Sequence, residues 1–441
     1  MKTLALLLSL AAPALAQERR DPRVESIVQR IDAGRLQATV QRLAAFGTRH
    51  TLSGTQGAGR GIVPAREWLR GELAAIARGS RLQAFSDRFT APADGKRIPA
   101  PVEIENLGVL LPGTRGKQAI VMTGHYDSMP SDVMDAKSDA PGAIDDASGT
   151  AMALELANAL RDQRPGPSIY LVAVAGEEQG LRGSQHLAQR LKEEGVEVLA
   201  MVSVDIAGNS EGQDGVRDGA SARLFSEGTP ALESEAQKKL RLAVGNENDG
   251  PAREWARYLK RVGELYVGGL RLRVMLRRDR IARGSDHMSF SQAGFPAVRL
   301  SEARENYRGQ HQTPRSEGGV RYGDEPWRFD AGYAARMCKA LVASLASLGF
   351  APAAPEEVTL AGAVSPDARL RWKLPPDPGI ASVVLYRRPA ETVVWESALQ
   401  LGKVSEATLP STTTDDWFFA VATADAAGNQ SIPQAPSAVG R

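Results

Sequence analysis

The chain has 441 residues with 42% apolar content and a formal net charge of +2, the profile of a globular protein long enough for two domains. Acidic and basic residues are interspersed, which argues against nucleic-acid binding. Cys338 is the one cysteine, so an intramolecular disulfide framework and a cysteine-rich zinc site are both excluded, and any metal must rest on His, Asp and Glu.

At the N-terminus, Lys2 precedes an apolar stretch from Leu4 to Ala12, and Ala14-Leu15-Ala16 follows with a small-x-small cleavage pattern. The stretch is short for a membrane span, and nothing later reaches that length. The expectation is a signal peptide over 1–16, a mature start at Gln17, and an exported, periplasmic or secreted protein of bacterial type.

Residues 17–80 read as helical, with Ala65, Trp68, Leu69, Leu73 and Ile76 on one face. His50 lies in a loop without a carboxylate beside it and reads as structural. Three apolar runs follow, each ending in polar, metal-competent side chains. Ala119–Thr123 leads to Gly124-His125-Tyr126-Asp127-Ser128. Ser168–Gly176 leads to Glu177 and Glu178, and Val198–Val204 leads to Asp205. Such runs read as buried parallel strands, separated by helices in βαβ units. Open parallel sheets build sites beyond the carboxyl ends of their strands. Between the first two runs, Asp145-Asp146-Ala147-Ser148-Gly149 opens a helix, where an aspartate can also serve as an ordinary cap. In His125-x-Asp127, side chains two apart on an extended segment share a face, so Asp127 can hold the His125 ring.

Residues 230–262 read as helical, and the arginines from Arg277 to Arg283 as a solvated face. Gly284-Ser285-Asp286-His287 precedes another strand, Ala297–Leu300, whose exit loop holds Tyr307, Gln310 and His311. A closing helix is expected over 330–348. An Ala/Pro-rich linker, 351–358, leads to short alternating strands, including Leu370–Lys373, Val383–Arg387 and Trp417–Thr423, that read as a β-sandwich over 359–441.

The tips His125, Asp145, Glu177, Glu178, Asp205, His287 and His311 offer ligands without sulfur, a set suited to zinc, and are sufficient for two ions if one carboxylate bridges.

In order, Gly124–Ser128, Asp145–Gly149, Gly176–Gly180 with Gly183-Ser184, Asp205, Ser285–His287 and Gln310-His311 resemble the motifs of the co-catalytic di-zinc aminopeptidases. That family includes secreted bacterial leucyl aminopeptidases, aminopeptidase Y and glutamate carboxypeptidase. The resemblance covers about residues 30–348. It implies an α/β fold, a three-layer, mixed, mostly parallel sheet with helices on both faces, over 17–350, with a C-terminal all-β sandwich that resembles a fibronectin type III module. It implies two Zn2+ per chain, Asp145 bridging, His125 and Asp205 completing one position, and Glu178 and His311 the other. Glu177 becomes the general acid/base, a metal-bound hydroxide the nucleophile, and Asp127 the residue that orients His125. His287 stands outside the ligand set. Tyrosines that steady the oxyanion in some members are absent here, leaving Tyr307 as a substitute. Expected substrates are peptides, cut by an aminopeptidase. The alternatives are a carboxypeptidase or dipeptidase, a glutaminyl cyclase, or a dead binding or adhesion protein whose C-terminal module takes a surface or polymer.

Overall fold

A computed structural model describes residues 19–57 and 59–439; the expected leader, 1–16, lies outside them. The chain divides into two compact units. One comprises Arg20–Gln237 and Glu247–Phe350, and the other Ala351 onward with Lys238–Asn246.

The larger unit is ordered by an eight-stranded sheet. Its strands are β1 Gln83–Ala91, β2 Val102–Leu111, β3 Gln118–His125, β4 Ser168–Val174, β5 Glu197–Val204, β6 Ser221–Ser226, β7 Arg271–Met275 and β8 Ala297–Glu302. Across the sheet they run β1-β2-β4-β3-β5-β8-β6-β7. The middle four, β4, β3, β5 and β8, are parallel. The β1–β2 hairpin joins β4 antiparallel, and β6, parallel to β7, joins β8 antiparallel.

The helices are α1 Pro22–Val28, α2 Ala33–Ala44, α3 Ile62–Ala77, α4 Ala147–Leu160, α5 Arg182–Glu193, α6 Glu235–Ala243, α7 Pro251–Tyr266, α8 His287–Ala293 and α9 Ala331–Phe350. Strand alternation divides those packed on the sheet between its two faces; α6, which lies mostly in the smaller unit, is not one of them. Val121 of β3 packs with Leu187 and Leu191 of α5 and Phe290 of α8. Gly124, of opposite parity, abuts Gly149 of α4. Both faces are covered, which is why the central strands are apolar without alternation. The closing helix α9 starts where Asp330 accepts the Tyr333 N–H at 2.9 Å, a normal side-chain cap. The region read as one helix over 230–262 is two, α6 and α7. Asn246–Gly250 breaks it, and Pro251 occupies the first turn of α7, where its missing N–H costs nothing.

A separate antiparallel hairpin follows β8 in the larger unit, β9 Arg315–Glu317 with β10 Val320–Tyr322. The smaller unit has β11 Glu356–Ala361, β12 Ala368–Lys373, β13 Ser382–Pro389, β14 Ser397–Leu401, β15 Glu406–Leu409, β16 Trp417–Ala424 and β17 Ala438–Val439. They form a four-stranded sheet, β15-β12-β11-β17, and a three-stranded one, β14-β13-β16. Leu370 and Trp372 from the first pack with Val383, Leu385, Phe419 and Val421 from the second. β11 begins inside the segment read as linker, at Glu356. Among the described residues, no helix is long and apolar enough to cross a membrane.

Candidate active site

Parallel strands bring their carboxyl ends to one edge. His125 ends β3 opposite Val174, the last residue of β4. Glu177 and Glu178 follow β4 by three and four residues, and Asp205 follows β5 directly. Asp145 stands just before α4, and His311 lies in the loop beyond β8.

These side chains converge. His125 Nε2 is 3.1 Å from one oxygen of Asp145 and 3.9 Å from Asp205. His311 Nε2 is 3.1 Å from the other oxygen of Asp145 and 3.2 Å from Glu178. Three groups, His125/Asp145/Asp205, Asp145/Glu178/His311 and His125/Glu177/Glu178, each place their ligand atoms within 4.8 Å of one another. His125 Nε2, Glu178 Oε1 and Asp205 Oδ1 are buried, and although charged neighbours lie 3.1–3.2 Å away, none is aligned for a hydrogen bond. Buried polar atoms are normally satisfied. Three such atoms, all of metal-ligating type and facing one another, fit a cation. Without sulfur, and with two imidazoles among carboxylates, the donor set suits zinc.

Asp127 meets the His125 ring through both its main chain and its carboxylate. His125 Nδ1 is 3.2 Å from the Asp127 main-chain carbonyl and 3.5 Å from its carboxylate. The carboxylate accepts the N–H groups of Glu177 at 3.3 Å and Glu178 at 3.2 Å, and the Thr51 hydroxyl at 3.1 Å. It therefore links the His125 loop to both glutamates. Burial works against the Asp127 anion, yet the His125 contact and these donors hold its pKa below the usual value. Glu177 goes the other way: burial, then the neighbouring Glu178, Asp205 and Asp286 carboxylates, push it well up, against the pull of His125.

Several residues support the cluster, and apart from Asp146, read from the sequence as a possible helix cap, they escaped the sequence reading. Asp146 caps α4 through the Gly149 N–H at 2.8 Å while also accepting the His125 N–H at 2.9 Å. The Asp145–Asp146 peptide is cis. Asp324 accepts the N–H groups of Ile144 at 2.9 Å and Asp145 at 2.7 Å. Arg49, fully buried, donates to the carbonyls of Tyr126 and Gly142 on either side. The Arg299 guanidinium, also fully buried, lies 3.1 Å from Asp205 Oδ1. Besides Asp146, Arg299 left a usable signal, as a charge inside the apolar run of β8.

Other candidates fall outside the cluster. His287 is buried with Nε2 donating to the Arg278 carbonyl at 3.0 Å, and His50 Nε2 donates to the Val133 carbonyl at 2.9 Å. Tyr307 is 58% exposed. The arginine segment is a solvated face only in part: Arg277 is exposed, but Asp279 is 3% and Arg280 11% exposed, ion-paired at 2.9 Å. Asp279 and Glu305 draw Arg280 and Arg283 inward.

A mostly parallel sheet with this cluster at its carboxyl edge defines a hydrolase of the zinc-exopeptidase fold. Residues 106–316 match the sequence model of Peptidase family M28. A "Probable zinc metalloprotease" of the fungus Leptosphaeria maculans is 42% identical over 407 residues, covering 91% of this chain and 93% of the relative. The chain belongs to peptidase family M28. Among solved structures, LapB from Legionella pneumophila superposes with a TM-score of 0.55 at 18% identity, covering 76% of this chain and 78% of that one. The LapA aminopeptidase of the same organism gives 0.53 at 19%, covering 77% and 78%. These two structures share the fold. The fungal relative lends no support to the bacterial setting expected from the leader.

Proposed function

We propose that the chain is a two-zinc aminopeptidase that releases N-terminal residues from peptides. The observation that carries this reading is Asp145, with one carboxylate oxygen 3.1 Å from His125 and the other 3.1 Å from His311. One carboxylate thereby faces two half-sites, as a bridging ligand must. His125 and Asp205 complete one half-site, and Glu178 and His311 the other. Zinc ions held there would polarise the scissile carbonyl and lower the pKa of a water.

The protein's own part is proton handling and positioning. Glu177 takes a proton from the attacking water and hands it to the leaving amine, which requires a carboxyl whose pKa lies above the ordinary range. Its burial supplies that upward push. Asp127 accepts the Glu177 and Glu178 N–H groups and so fixes both carboxylates against the His125 loop. Asp324 holds the Asp145 backbone from behind. The choice of the amino end rests on the motif resemblance and agrees with the name of LapA, a fold neighbour described as an aminopeptidase.

Export, on the leader pattern, belongs to the same proposal. So does a fibronectin type III-like module in the smaller unit, supported by its sheets of four and three strands packed on Trp372.

The experiment compares leucyl-p-nitroanilide with its N-acetylated form and with an N-acetylated peptide. Aminopeptidase action requires hydrolysis of the free-amine substrate alone. Release of the C-terminal residue from the blocked peptide would assign the chain to carboxypeptidases instead.

A further inference from the structure

A continuous line of charged and polar groups joins Asp205 to His311 without passing through the ligand cluster. Arg299 lies 3.1 Å from Asp205 and 3.4 Å from Asp279. Asp279 pairs with Arg280 at 2.9 Å, and Arg280 with Glu305 at 3.1 Å. Glu305 also takes Arg223 at 2.7 Å and Arg283 at 2.6 Å. Arg283 then donates to Gln310 Oε1 at 3.0 Å, and Gln310 precedes His311 in the chain.

Two features of this wall are unbalanced. Four guanidiniums, of Arg223, Arg280, Arg283 and Arg299, face two carboxylates, Asp279 and Glu305, since Asp205 belongs to the ligand set. The surplus is positive. Apart from the ligand oxygen of Asp205, its unsatisfied atoms are of one kind: Arg299 Nε and Gln310 Nε2 are buried N–H donors without an acceptor, in residues 0% and 8% exposed. Buried donors left without acceptors are costly, and donors beside surplus cations call for an anion.

Strand order says which part of a substrate meets the wall. Across the sheet β4 and β8 flank β3 and β5 on opposite sides. Glu177 stands at the β4 side, and the wall is built on β8 and the segments beside it. If Glu177 hands its proton to the leaving amine, the acyl residue lies toward β8.

We propose that this wall receives the side chain of the substrate's N-terminal residue and that it takes a carboxylate, making N-terminal aspartate and glutamate the preferred residues. The inference rests on the aminopeptidase reading above and deepens it. Arg283, 29% exposed, is the member open to solvent and to an incoming side chain. Its second nitrogen exchanges Gln310 Oε1 for the substrate carboxylate, or shares them.

The test uses the zinc-loaded full chain and an isosteric pair, glutamyl- and glutaminyl-p-nitroanilide. The expected kcat/KM ratio is at least about tenfold in favour of the acid, the scale of one charge-assisted hydrogen bond. Arg283→Gln should bring the ratio close to one, and Arg283→Lys should keep part of it. Because a ratio is read, a general loss of activity in a variant cancels. Calorimetric binding of free L-glutamate against L-glutamine gives the same comparison without turnover. Failure to hydrolyse any free-amine substrate would sink the aminopeptidase reading, while the two binding constants would still decide the wall's preference. A wild-type ratio at or below one in turnover and binding, or a ratio that Arg283→Gln leaves unchanged, overturns the inference.

Discussion

Glu177 and Glu178 are neighbours in sequence with opposite prospects. Glu178 has a buried oxygen 3.2 Å from His311; burial raises the pKa of both, and for Glu177 the Glu178, Asp205 and Asp286 carboxylates push it further, well above the usual value. Replacing Glu177 by Gln removes the proton carrier and keeps the shape. Turnover should fall by about 10²–10⁴-fold while metal content, measured by emission spectrometry, stays at the wild-type level. Wild-type turnover in that variant would end the assignment. The two late histidines separate in the same assay: His311→Ala should lose metal, and His287→Gln should retain it, because His287 contacts Arg278 and Asp279 rather than the cluster. His125, Glu178 and Asp205 were visible in the sequence because each follows an apolar run where little else explains a His or a carboxylate, whereas Asp145 and His311 were assigned through the motif resemblance. Their supports were hidden. Asp324 and Arg49 act through main-chain groups of distant segments, and a main-chain partner, donor or acceptor, leaves no mark on residue type. Arg299 was visible as a charge in an apolar strand, yet its partner Asp279 came from a segment whose many arginines read as solvent-facing.

Between elements, the site depends on how closely the start of α4 approaches the sheet. A Cβ added at Gly149 would come within 2.1 Å of the Val204 carbonyl oxygen and 2.4 Å of an Asp146 carboxylate oxygen. Only glycine lets α4 enter between β5 and the aspartate that holds His125. Gly149→Ala should therefore lower stability by about 1–3 kcal/mol, the usual cost of overpacking, read as a shift in the urea midpoint. An unshifted midpoint would mean that the helix start can move freely. The central strands were legible because burial on both faces makes them uniformly apolar, and α9 because Met337, Leu341 and Leu345 repeat at helical spacing. The break between α6 and α7 was harder to read. α6 buries no residue of its own, so packing imposed no periodicity on it, and the division had to be found from Gly250 and Pro251 alone.

For the whole molecule, the arginines around Glu305 make stability depend on acid. Glu305 is buried, which works against its charge, but Arg280, Arg283 and Arg223 hold its pKa down to about 2. A carboxyl whose pKa is lower folded than unfolded binds fewer protons in the native state. Its contribution is complete above the unfolded value of about 4.3 and is lost as pH falls toward 2. The loss is on the order of 3 kcal/mol, measurable as urea midpoints between pH 5 and pH 2. Glu305→Gln should flatten that slope while lowering stability at neutral pH, and an unchanged slope would show that other carboxylates dominate. The division into two units reflects a change in sequence texture near residue 350, from long apolar runs with helical spacing to short alternating strands. The assignment of Lys238–Asn246 to the smaller unit had no such marker. The proposed sharing of Asp145 by two zinc ions in an aminopeptidase can be followed by restoring zinc stepwise to chelator-treated protein while recording leucyl-p-nitroanilide hydrolysis and bound metal together. Hydrolysis should be negligible without metal, two zinc ions should bind per chain, and full activity should return only as the second equivalent is taken up. Full activity with one zinc per chain, or undiminished hydrolysis after complete removal of metal, would contradict it.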